Sequence, residues 1–202
     1  MTAWSMYTSR SPIWRAILWA AVLAPLMMGA VVKNYAFVIL LARQGPINDI
    51  LLGLGIVNEP VRMLFTEAAV IVGIFYAMFP FAVLPLYVAF SSVSLDLVAA
   101  AESLGSTRTQ AVRTVVLPLV MPSIVASGVL VFVLASGFYV TPLVLGGSKT
   151  PFAAPVIARS LFEFNDIEGA ALSSLILILA ALAVVVMGVA VVGRDRMRRA
   201  LG

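Results

Sequence analysis

The sequence predicts an all-α, polytopic membrane protein with about four spanning helices. Three observations carry that reading. Of 202 residues, 62% are hydrophobic and only 11% are charged, where an ordinary soluble domain carries roughly 25% charged residues. With 13 basic and 9 acidic side chains, the chain cannot cover a soluble globule of this size in polar surface. The apolar residues also fall in runs long enough to cross a hydrocarbon layer, which takes about 20 helical residues. Nothing alternates with the period of two that barrel strands require. The same composition excludes disorder.

The first apolar run covers 16–32, is broken by Lys33 and Asn34, and resumes over 35–42. The second covers 68–90 without a charge, the third covers 115–145 and carries Pro118, Pro122 and Pro142, and the fourth covers 169–193. Spans are therefore expected over about 16–41, 68–90, 117–140 and 169–193, in a single transmembrane domain over 1–202. Arg10 and Arg15 precede the first run as they would in a signal peptide. Pro25, however, is followed by more apolar chain with no clean cleavage site, which favours a retained span. On the third span Ser123, Ser127, Gly128, Ser136 and Gly137 recur, and small residues in lipid mark close helix–helix contact.

Basic residues set the orientation. With both termini and 91–114 placed in the cytoplasm, that side holds Arg10, Arg15, Arg108, Arg113, Arg194, Arg196, Arg198 and Arg199, against Lys33, Arg43, Arg62, Lys149 and Arg159 outside. The positive-inside rule favours this arrangement. The net charge of +4 then reflects basic cytoplasmic segments and calls for no nucleic-acid partner.

Much chemistry is excluded outright. The chain has no cysteine and no histidine, so disulfides, thiolate or imidazole metal sites and a Ser-His-Asp triad cannot be built. An intramembrane enzyme would need an Asp pair or a Ser-Lys dyad inside a span, and no span interior shows one. No cofactor or metal is expected. The string Gly146-Gly147-Ser148-Lys149-Thr150 lacks the Gly-Lys-Ser/Thr order of a phosphate-binding loop and does not open a helix after a strand.

The polar stretch 91–118 reads as two short helices around a glycine. Ser94 or Asp96 can cap the first helix, whose body is rich in alanine. Gly105 stands where a left-handed residue ends a helix. Ser106 or Thr107 can cap the second, which runs through Gln110, Arg113 and Val116, and Pro118 opens the next span. Leu97, Ala100, Ala101 and Leu104 are expected to share a face whose small residues let another protein's backbone approach.

At these residues the chain resembles the importer permeases of the ATP-binding-cassette class. Their cytoplasmic loop has the pattern Glu-Ala-Ala, three residues, Gly, nine residues, Ile, one residue, Leu-Pro. Here Ala99-Ala100-Ala101, Gly105, Val115 and Leu117-Pro118 keep every spacing, with Ala99 in place of the Glu and Val115 in place of the Ile. Glu102 is the carboxylate one turn on. Lys33-Asn34-Tyr35-Ala36-Phe37, Gly45-Pro46-Ile47-Asn48, Phe79-Pro80-Phe81 and Leu84-Pro85-Leu86-Tyr87 look like the spermidine/putrescine-type subfamily. So do Leu145-Gly146-Gly147-Ser148-Lys149-Thr150 and Gly169-Ala170-Ala171-Leu172-Ser173. The similarity runs from about Pro25 onward and matches the last four of the usual six spans, as expected of a fragment with a misplaced start or of a shortened gene product.

The resemblance implies a multi-pass subunit of a bacterial inner membrane that performs no catalysis itself. Its partners would be two ATP-binding-cassette ATPase subunits, a second permease and an extracytoplasmic solute-binding protein. The loop 91–118 would dock on the ATPase through Leu97, Ala99, Ala100, Ala101, Glu102, Leu104, Gly105 and Arg108, with Leu117 and Pro118 leading into the span. A polyamine, being a cation with methylene segments, would be met by aromatic faces and a few acids or hydroxyls. Tyr76, Phe79, Phe132, Phe138 and Tyr139 are the candidates, with Glu67 at an outer mouth; packing between helices or at the membrane interface is the alternative for each ring. A small ATP-independent channel or carrier is the competing function, and it would have no use for a docking loop.

Overall fold

The computed structural model describes residues 2–8, 11–146 and 152–201, with the side chains of 5, 7, 8 and 194–201 left out of account. Among the described residues every regular element is a helix. Four stretches are long and apolar enough to cross a membrane, namely Ala30–Gly53, Glu67–Ser91, Arg108–Ser136 and Ile167–Gly193.

The chain opens with α1 (Thr2–Thr8) and α2 (Pro12–Met27). Pro12 stands at the first helical position, where its missing N–H costs nothing, and Ser11 Oγ accepts the Trp14 N–H at 3.4 Å as a cap. The continuous span expected over about 16–41 is broken: α2 ends at Met27, Gly29 is extended at φ −58°, ψ 151°, and α3 (Ala30–Leu41) begins anew. The break explains Lys33. Its ammonium donates to the Pro25 carbonyl at 3.2 Å, one of the α2 carbonyls that run out of helical N–H partners. A cation is favoured there by the negative end of the helix dipole. An apolar run counted by length does not register this break; Pro25 and Gly29 are its only traces in the sequence.

A tight turn leads to α4 (Pro46–Gly53), again opened by a proline. The wholly buried Asn48 closes the loop that follows. Its Nδ2 donates to the carbonyls of Ala42 and Val61, both at 3.0 Å, and its Oδ1 accepts the Val61 N–H at 2.8 Å. Helix α5 (Glu67–Ser91) is the second spanning stretch and contains Pro80 and Pro85. Two short helices, α6 (Leu95–Ser103) and α7 (Arg108–Ala111), precede a π-helical turn, Val112–Val116, that runs without interruption into α8 (Leu117–Ser136). Pro118 has no N–H to give the preceding turn, and a widened turn just ahead of it is how a helix absorbs such a defect. Pro118 thus lies inside a continuous helix that begins at Arg108, upstream of the span start read from the sequence.

Beyond α8 comes a second π-helical turn, Pro142–Gly146, then α9 (Ala153–Phe162) and α10 (Ile167–Leu201). Gly147, Ser148, Lys149 and Thr150 lie outside the described residues. Asp166 caps α10 by accepting the Gly169 N–H on Oδ1 at 2.8 Å. The Arg159–Glu163 pair on α9 is exposed, and such pairs contribute little.

The chain divides into two compact units. One comprises Met1–Leu23, Pro80–Phe132 and Ala181–Gly202. Its core is Val93, Val98, Ala111, Val116 and Val120, with Trp4, Phe90 and Ile124 packed against it. In the same unit Trp19 meets Tyr87 edge to face at 5.0 Å, and α10 approaches α8 so closely that a β-carbon on Gly188 would come within 2.5 Å of Val129 Cγ2. Of the small residues on α8, Ser127 is buried and Ser123 half-buried, whereas Gly128 faces outward. The other unit comprises Ala24–Phe79 and Val133–Ala180. Its core is Leu41, Ala69, Val70 and Leu145, with Phe37, Met63 and Phe152 against it. There Phe65, at φ 60°, donates its N–H to the Leu145 carbonyl at 2.8 Å.

Two substitutions test these contacts in detergent-solubilised protein. Asn48→Ala strands the Val61 N–H and two carbonyls and is expected to cost about 1–3 kcal/mol. Gly188→Leu overpacks the α8–α10 contact and is expected to cost about 1–3 kcal/mol. Each should appear as a lowered Tm, while Gly128→Ala on the outward face of α8 should leave Tm unchanged.

Candidate functional site

The loop between the second and third spanning stretches is held by local hydrogen bonds on both sides of one glycine. Ser94 Oγ accepts the Asp96 N–H at 3.1 Å and donates to the Asp96 carboxylate at 2.8 Å, which fixes the start of α6. At the other end the Gly105 N–H reaches the Glu102 carbonyl at 3.0 Å and the Ser106 N–H reaches the Ala101 carbonyl at 3.1 Å. These two bonds form a Schellman closure, which needs a left-handed residue after the helix. Gly105 supplies it at φ 91°. Nothing lies within 4 Å of where a Gly105 β-carbon would be, so backbone conformation alone demands the glycine.

Two residues on, Thr107 opens α7 with a reciprocal capping box. Its Oγ1 accepts the Gln110 N–H at 3.3 Å, and Gln110 Oε1 accepts the Thr107 N–H at 2.9 Å. Several polar groups of the loop are thus spent on its own backbone, while Asp96, Glu102, Arg108 and Arg113 stand exposed beside apolar and small side chains.

The shared face expected for Leu97, Ala100, Ala101 and Leu104 needs one correction. Leu97 is 45% exposed and Leu104 88% exposed, and Ala99 and Ala100 are exposed as well. Ala101 is half-buried and packs on the core with Val98. Positions 98 and 101, three apart, face inward because they lie on the stripe that meets Ala111 and Val116. Val98 and Ala111, both buried, were not singled out from the sequence. The spacing of Val98 from Ala101 and the position of Ala111 one turn past the Thr107 cap were the available signals. Glu102, Arg108, Leu117 and Pro118 are exposed.

Of the aromatic candidates for a solute path, Tyr76, Phe79, Phe138 and Tyr139 lie in one unit and Phe132 in the other. Tyr76 packs edge to face on Phe37 at 5.4 Å, and its hydroxyl lies 3.7 Å from Met28 Sδ. Phe79 leans on Phe75 at 5.8 Å. Phe138 is half-buried, Tyr139 is exposed, and Phe132 belongs to the other unit. Glu67 is the exposed first residue of α5. Among the described residues no three carboxylates come together as a metal site would require.

This architecture is matched by known proteins. A family described as "Binding-protein-dependent transport system inner membrane component" matches residues 16–199. The chain belongs to that family. Among permeases of known name, the spermidine/putrescine transport system permease protein PotB of Escherichia coli strain K12 is 35% identical over 153 residues, covering 75% of this chain and 55% of PotB. PotB of Haemophilus influenzae is 35% identical over 182 residues, covering 90% of this chain and 64% of PotB. The chain therefore spans about half to two thirds of the length of these relatives. In fold it is similar to a bacterial ABC transporter involved in the import of the acidic polysaccharide alginate, with a TM-score of 0.75, 18% identity, and coverage of 95% of this chain and 70% of that one. As a member of this family the chain is an integral component of the inner membrane, in keeping with its four apolar stretches.

The closure at Gly105 can be tested apart from function. Gly105→Val forces a β-branched residue into left-handed backbone, at about 1–2 kcal/mol. Amide exchange at Ser106, whose N–H holds the last turn of α6, should speed up by about tenfold. Gly105→Asn, which tolerates that conformation, should stay near the parent rate.

Proposed function

We propose that the chain is the membrane-spanning permease subunit of an ATP-driven importer and that the loop 91–118 couples closure of a partner ATPase to alternating access. The observation that carries this reading is the loop itself. Leu97, Ala100 and Leu104 are held outward on a short helix closed by Gly105. An outward-facing helix that carries an apolar ridge can seat in a groove on another protein. Free energy passes between the two only through contacts that differ between the two states.

The partners proposed are two ATPase subunits, a second permease and an extracytoplasmic solute-binding protein. The solute proposed is a polyamine such as spermidine or putrescine, or a related small solute, a reading supported by 35% identity to two PotB proteins. Tyr76, Phe79, Phe132, Phe138, Tyr139 and Glu67 remain the proposed contacts along its path. Both termini and the loop are proposed to face the cytoplasm.

Orientation is tested with single cysteines, since the chain has none of its own. Cysteine at Asn58 should react with an impermeant thiol reagent from outside intact cells, and cysteine at Thr107 only after permeabilisation. The opposite pattern would reverse the topology. Coupling is tested in vesicles holding the chain with its ATPase, sister permease, binding protein and any further spans of the complete subunit. ATP-dependent spermidine uptake is expected there, and Leu104→Ser or Gly105→Val should reduce it by about tenfold or more, a change equivalent to about 1.4 kcal/mol of coupling. Uptake down a gradient without ATP would support a channel instead. ATP-driven uptake that ignores polyamines would discard only the substrate.

A further inference from the structure

We propose that α1 is a strut that holds the docking loop in its docking shape, with Trp4 as the positioning residue. The inference rests on the coupling role proposed for that loop. Two observations point to it. First, α1 is not a loose end: Ala3 is 3% exposed and Met6 1% exposed. Second, Trp4 packs against the Val93, Val98, Ala111, Val116 and Val120 cluster and meets Phe90 edge to face, at 5.4 Å and 62°. That cluster is the underside of the loop: Val98 anchors α6, Ala111 anchors α7 and Val116 belongs to the π-helical turn.

The consequence is mutual. The apolar cluster beneath the loop is small, and among the described residues Trp4 is the tryptophan packed against it. Removing that ring leaves α6 and α7 with their caps but with a thinner floor, so Val98 should open to water more often while Leu97 and Leu104 lose their fixed presentation. Local openings of this kind follow the number of apolar contacts that hold a segment.

The test uses Val98→Cys in the otherwise cysteine-free chain, placed in lipid nanodiscs that expose both membrane faces to a water-soluble maleimide. Adding Trp4→Ala should speed alkylation of that cysteine by about tenfold, and Trp4→Phe, which keeps a ring, should speed it much less. In the assembled transporter Trp4→Ala should lower solute transported per ATP hydrolysed, with Leu104→Ser as the reference for a loop that cannot dock. If Trp4→Ala fails to insert, Trp4→Leu is read in its place. An unchanged alkylation rate overturns the strut and leaves the coupling role standing. Faster alkylation with normal transport, while Leu104→Ser abolishes transport, also overturns the strut. If Leu104→Ser has no effect either, the coupling role itself fails and the strut falls with it.

Discussion

In hydrocarbon a backbone N–H or C=O has no water to turn to, and each one left unpaired costs several kcal/mol. The rest of this structure follows from that constraint. It is why every regular element of the described chain is a helix, and why several places where a helix stops or is interrupted carry their own remedy. The α2 carbonyl at Pro25 is met by the Lys33 ammonium. The peptide groups around Val61 are met by the Asn48 side chain. The defect that Pro118 brings is absorbed in a π-helical turn that keeps the helix running. Polar residues are few in this chain, and several of those present work on backbone groups.

The loop 91–118 applies the same economy at a surface. Ser94, Thr107 and Gln110 satisfy the helix ends with side chains that belong to the loop, and Gly105 allows the sharp reversal between α6 and α7. Its outward side carries a small apolar ridge, Leu97, Ala100 and Leu104, set on an apolar floor. The absence of the Glu that related permeases carry, here Ala99, is compatible with this build. Position 99 is exposed, and no bond that shapes the loop depends on a carboxylate there. The long outward rows of α10, including Leu172, Leu175, Ile176, Leu179 and Leu182, suit acyl chains or neighbouring helices.

The sequence by itself determined the class and the punctuation. Composition required a membrane protein, run lengths located α5 and the apolar part of α10 to within a residue or two, and the Ser94, Gly105 and Thr107 signals located α6 and α7. These features were legible because they are local: a cap, a left-handed glycine and an apolar run each act within one turn or along one helix. Tertiary structure alone decided the break between α2 and α3, the inward turn of Ala101 with Val98, the clasp of Asn48 on Val61 and the seat of Trp4 on Phe90. Each of those depends on a partner distant in sequence or on which stripe of a short helix finds a neighbour. A count of apolar residues cannot distinguish the stripe that meets the core from the stripe that meets a partner, because both are apolar. Only the packing of Val98 and Ala111 against Val116 separates them.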